Sequence, residues 1–131
     1  DVLDAELAVM QERHSKGRSM LTQAGTYAPT LGVLGAVVGL IAALGNLDDI
    51  NKLGHAVAAA FVATILGIFT AYVLWLPLAN KLKLLSEEEV SEKRMIIEGI
   101  LSLQAGDSPT AIEAKLMVFI PQSERENVKK E

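Results

Sequence analysis

Thr64 stands midway along a stretch, from Leu53 to Asn80, that contains no Asp, Glu, Lys or Arg. A hydroxyl in such a setting can bond back to the carbonyl four residues earlier and hide its polarity within its own helix. Alternatively it faces a polar pore or an ionisable group on a partner, and so borders an ion path. A second uncharged stretch, Ser19 to Leu47, carries Gly32, Gly35 and Gly39 at spacings of three and four. That spacing puts the three glycines on one helical face, where another backbone can come close. Gly35 and Gly39 also form the GxxxG pair associated with helix pairing in membranes. Ala56, Ala60, Thr64, Gly67 and Ala71 give the other stretch a comparable small face. Pro29 lies near the start of the first stretch's expected span, where a missing N–H is tolerated. Pro77 follows the second apolar core, where it removes a hydrogen bond and kinks a continuing helix, as a fixed bend or as a hinge.

The rest of the composition narrows the chemistry. With no Cys, the chain has no disulfide, thiolate zinc site or cysteine nucleophile, and no phosphate-binding loop or metal-ligand cluster stands out. A net charge of -4 gives no support for nucleic-acid binding. Half of the 131 residues are hydrophobic, concentrated in the two uncharged stretches. Each is longer than the roughly 20 residues needed to cross a bilayer. A soluble enzyme would have to bury both in one small domain without a recognisable reactive constellation.

These elements predict an all-α membrane protein whose two transmembrane helices form a hairpin. Residues 1–25 read as a cytoplasmic helix leading into the membrane, 26–45 as the first span, 46–54 as an extracytoplasmic loop, 55–78 as the second span and 79–131 as a cytoplasmic helical tail. Arg13, Lys16 and Arg18 precede the first span, Lys81 and Lys83 follow the second, and the connection has Lys52 alone, which places both ends in the cytoplasm. Tyr27, Tyr72 and Trp75 are placed to anchor the spans at the headgroups. His55, beside the acidic loop, reads as a boundary residue rather than a proton carrier. The first 18 residues are too polar for a cleavable signal peptide. Leu3, Leu7 and Met10 share a helical face before Gly17 interrupts it. In the tail, Ser86 and Glu89 suggest a capping box before Met95, Ile96, Ile97, Ile100, Leu101 and Leu103. Ala105-Gly106-Asp107 stops that helix, Ser108 caps the next with Pro109 in its first turn, and Ile112, Leu116, Met117 and Ile120 give it an apolar face. Pro121 ends it, and Ser123 with Glu126 suggests a further short cap. Small faces on both spans imply oligomerisation or partner helices.

The segments AGTYAPTLGVLGAVVGLIAAL, LGHAVAAAFVATILGIFTAYVLW, PLANKLK and IIEGILSLQAG together resemble the C-terminal half of the flagellar stator subunits, the MotA branch of the MotA/TolQ/ExbB proton-channel family. The resemblance begins near Ala24 and covers almost all the remainder. It implies the third and fourth spans of a four-span subunit. It also implies five such subunits around two copies of MotB, whose transmembrane Asp receives the proton, and torque delivered to the flagellar rotor switch complex. By the same resemblance, Pro29 and Pro77 are the coupling prolines, and Gly32, Gly35, Ala36, Gly39 and Thr64 border the ion path or the partner helices. Ala36 stands where sodium-driven relatives usually carry Thr, which favours protons as the transported ion, sodium less so, with no cofactor. The implied protein is no enzyme but a channel and torque generator in the bacterial inner membrane. An ExbB-like or TolQ-like energiser of an envelope complex would share the channel but not the rotor, and a membrane scaffold would not conduct.

Overall fold

Long uncharged runs with few helix breakers favour continuous helix, and the computed structural model, which describes residues 2–45 and 47–129, is all-α. Among those residues there is no strand. Helix α1 runs Val2–Leu44, α2 Ile50–Thr70, α3 Leu76–Ala105, α4 Pro109–Met117 and α5 Arg125–Val128. A five-residue π-helical segment, Ala71–Trp75, joins α2 to α3 without a break. The helices carrying residues 2–44 and 50–105 are each long and apolar enough to cross a membrane.

Several local expectations change. Gly17 does not interrupt α1: nothing lies within 4 Å of the position a Cβ would take there, and one glycine costs a long helix only about 1 kcal/mol. The connection expected at 46–54 is helical from Ile50, because Asp49 caps α2 with its carboxylate accepting from the Asn51 and Lys52 amides at 3.1 and 3.2 Å. Asn46 lies outside the described residues.

The chain folds as two units. One is formed by the N-terminal stretch up to His14 together with the chain from Leu84 onward, the other by Ser15–Lys83. In the first unit, Ser86 and Glu89 make no capping box, since both lie inside α3 where no amide is orphaned. Instead His14 Nδ1 lies 3.2 Å from Ser86 Oγ and its Nε2 lies 3.8 Å from a Glu89 carboxylate oxygen. The apolar stripe expected in α3 is only partly covered: Met95 and Ile97 are half-buried, whereas Ile96, Ile100, Leu101 and Leu103 are exposed. Leu3, Leu7, Met10, Ile96 and Ile97 line an open groove of about 700 Å³.

The turn into α4 agrees with expectation. Gly106 adopts a left-handed φ of 78° that L side chains rarely take, which ends α3. Ser108 Oγ then accepts from the Ala111 amide at 3.4 Å. Lys115 Nζ donates to Asp107 at 2.6 Å and to the buried Ser102 hydroxyl at 3.4 Å, tying α4 back to α3. The hydrogen bond to the Asp107 carboxylate holds the Lys115 ammonium above its ordinary 10.5. A raised lysine value means the tie is complete at neutral pH and is lost only as pH climbs through that raised value. Helix α4 ends at Met117, ahead of Pro121, and Glu124 rather than Ser123 precedes α5, without a side-chain cap. Ser108→Ala is expected to destabilise α4 by about 1 kcal/mol. Faster hydrogen exchange of its first-turn amides, with α2 unaffected, is the readout.

Candidate functional site

The second unit is a hairpin held by small residues. Gly32 and Gly67 face each other so closely that side chains at either would strike backbone. A Cβ at Gly67 would lie 2.6 Å from the Ala28 carbonyl oxygen and 3.2 Å from Gly32 Cα. One at Gly32 would lie 2.8 Å from the Ala63 carbonyl oxygen and 3.5 Å from Thr64 Cα. Ala36 and Ala60, on the same small faces, are buried. Near the other end of the unit, a Cβ at Gly25 would meet Leu76 Cδ2 at 2.7 Å and Trp75 Cβ at 3.3 Å. Small residues therefore remove the side-chain layer between the helices and let main chains touch, which is how helices gain contact in lipid.

The glycine stripe is divided in its use. Gly32 is consumed by the contact with α2, whereas nothing lies within 4 Å of a Cβ at Gly35 or Gly39. Those two are exposed, leaving a small face on α1 free for a helix from elsewhere. Large apolar side chains such as Leu34, Val38, Ile41, Phe61, Ile65 and Phe69 are exposed too, as expected of surfaces that face lipid or neighbouring helices rather than water.

Thr64 is half-buried at the crossing. Its hydroxyl donates to the Ala60 carbonyl oxygen at 3.0 Å, so the back-bonded arrangement is the one present. Its oxygen can still accept, and can therefore steady a protonated group brought alongside. With no Asp, Glu, Lys or Arg between Ser19 and Leu47 or between Leu53 and Asn80, the hairpin offers a wall rather than a proton-carrying group.

The prolines sit in different surroundings from those expected. Pro29 lies deep inside α1, not near a helix start, since the helix begins at Val2. Its missing N–H leaves the Gly25 carbonyl without its regular donor. Threonine hydroxyls cluster around this gap, Thr26 bonding the Thr22 carbonyl at 2.9 Å and Thr30 the Tyr27 carbonyl at 2.8 Å. Pro77 comes just after the π segment, in which the Leu76 amide reaches back five residues to the Ala71 carbonyl. The irregularity therefore begins before the proline. That widened turn and the Gly25 contact had no signal in residue spacing; only a small residue opposite the bulky Trp75 and Leu76 hints at them. Tyr27 and Tyr72 are exposed and Trp75 half-buried near the span ends, and His55 is exposed in the second turn of α2.

Residues 1–95 match the model of the MotA/TolQ/ExbB proton channel family. Motility protein A of Bacillus subtilis is 56% identical over 125 residues, 95% of this chain and 46% of that protein. Chemotaxis protein PomA of Vibrio alginolyticus is 33% identical over 123 residues, 94% of this chain and 49% of its own. Among solved structures, the flagellar MotAB stator complex from Bacillus subtilis matches with a TM-score of 0.86 at 55% identity, over 97% of this chain and 50% of that one. C. jejuni MotAB matches with a TM-score of 0.84 at 34% identity, over 92% of this chain and 48% of that one. The chain thus spans about half the length of the relatives it matches.

Proposed function

Because this chain belongs to the MotA/TolQ/ExbB proton channel family, we propose that it supplies the third and fourth spans of a flagellar motor stator subunit. In this reading the complete parent sits in the bacterial inner membrane with both ends of this segment in the cytoplasm. Five copies surround two MotB helices, and the assembly turns proton flow into torque on the rotor. It performs no covalent chemistry and uses no cofactor. The observation that carries the reading is the divided small face: Gly32 and Ala36 hold the hairpin together while Gly35 and Gly39 remain open to partner helices. The likeness to Motility protein A and to the MotAB stator complexes supports the flagellar branch.

A carboxylate on a partner helix supplies what this hairpin lacks. Protonation in lipid removes its charge and changes the surface against which it packs best. Thr64 stands beside that exchange, and repeated repacking moves one set of helices around the other. Ala36, in place of a hydroxyl residue, favours protons over sodium.

The test is restoration of swimming in a stator-deficient strain by the complete parent with its MotB partner. Swimming that persists without sodium and stops with a protonophore is expected. Thr64→Val, which keeps shape and removes the hydroxyl, should lower speed about fivefold if the lost hydrogen bond is worth roughly 1 kcal/mol to the moving proton. Failure of the assembled parent to restore swimming would favour an envelope energiser. Unchanged speed in Thr64→Val would remove that residue from the ion path.

A further inference from the structure

At the edge of the uncharged hairpin, Arg18 on α1 and Lys83 on α3 line one recess of about 420 Å³. Ser15, Ser19 and Asn80 share its wall with the buried Ala79, whose small side chain leaves room between the helices. The volume falls within the range of small-molecule sites. Among the described residues, no Asp or Glu lines it. Among the described residues, neither Arg18 nor Lys83 is ion-paired, and Ser15, Ser19 and Asn80 have no side-chain hydrogen bond. Two cations and three uncommitted hydrogen-bonding groups therefore converge from two helices, a set of donors suited to phosphate oxygens.

The height of the recess selects the source of that phosphate. Arg18 is the last charge before the uncharged run from Ser19, and Lys83 lies two residues beyond Lys81, the first charge after the other run. That is the level at which lipid phosphates meet the hydrocarbon. Met20, Leu78 and Leu82, adjacent in sequence, are exposed apolar side chains against which acyl chains can lie. We propose that this recess binds the phosphodiester head group of an anionic phospholipid. The proposal rests on the membrane placement of the hairpin and not on its flagellar assignment, so the swimming test does not decide it.

The experiment uses the complete parent complex in nanodiscs of equal phosphatidylcholine and phosphatidylglycerol, with spin-labelled forms of each lipid compared for immobilisation by the protein. The native complex is expected to hold phosphatidylglycerol in excess. Arg18→Gln and Lys83→Gln should each reduce that excess about fivefold, whereas Arg18→Lys should retain most of it. Lys81→Gln removes the same charge at the same level outside the recess and should reduce the excess clearly less, by the general surface attraction alone. Gel filtration of each variant checks assembly, and the retained charge in Arg18→Lys separates lost binding from lost folding. An equal loss in Lys81→Gln would reduce the effect to general attraction and overturn the site. No excess in the native complex would overturn it as well, and displacement of the labelled lipid by inorganic phosphate would assign the recess to the free anion instead.

Discussion

Gly67→Ala is expected to lower the stability of the hairpin by about 2–3 kcal/mol, the upper part of the range for overpacked interiors. The new methyl would lie 2.6 Å from the Ala28 carbonyl oxygen and 3.2 Å from Gly32 Cα. Both obstacles are backbone, so no side chain can swing aside; α1 and α2 must separate where their main chains touch. Gly35→Ala is the matched control, because nothing lies within 4 Å of its Cβ position in this chain. The hairpin itself should tolerate that methyl within about 0.5 kcal/mol. Thermal unfolding of the purified complex measures the first substitution. For Gly35→Ala, unchanged hairpin helicity with the partner still bound, though less tightly, is the expected pattern. Native-like melting of Gly67→Ala would show that the helices do not approach as closely as the structure places them.

The second large effect is expected at Pro77. Restoring an N–H at this position lets the widened Ala71–Trp75 turn close into regular helix. Passing from a π to an α turn shifts the remainder of the helix by one residue, a rotation of about 100°. Ala71 and Ala79, at 0% and 3% exposure, cannot then both keep their buried positions. Pro77→Ala is therefore expected to reduce swimming by at least about tenfold while the complex still assembles, since π turns are frequently placed at functional sites. Motility assays paired with a pull-down of the partner read the two outcomes separately. Full swimming would mean that the widened turn has no part in transmitting motion.

How much of this was legible in the sequence depended on the range of the interaction involved. The two spans were readable because lipid excludes charge over a whole segment. The small faces were readable because spacings of three and four repeat along a helix. The Gly106 and Ser108 turn was readable because left-handed backbone and an orphan amide each demand a particular residue type. Ser86 and Glu89 misled because a capping box describes a helix start only where a start exists, and nothing before Ser86 breaks the helix that arrives from the membrane. Gly17 misled for the same reason, a single weak residue being outweighed by its neighbours. The split between Gly32, packed on α2, and Gly35 and Gly39, left open, was beyond periodicity. It depends on how α1 is rotated against α2, which turns Gly32 and the buried Ala36 toward the contact and leaves Gly35 and Gly39 to its side. The π turn was likewise invisible to residue spacing, since it lies wholly before Pro77 and no residue type within Ala71–Trp75 demands it.

If the open glycine face of α1 borders the ion route, a bulky group attached to that face must stop protons. The absence of Cys from this chain allows a direct test in an otherwise cysteine-free parent complex, with Gly35→Cys on that face and Leu34→Cys on the apolar face turned away from it. Proton entry into vesicles under an imposed potential is measured before and after a bulky thiol reagent. Block of proton entry at position 35 with none at position 34 is the expected result. Equal flux before and after labelling at position 35, with labelling verified by mass, would contradict it.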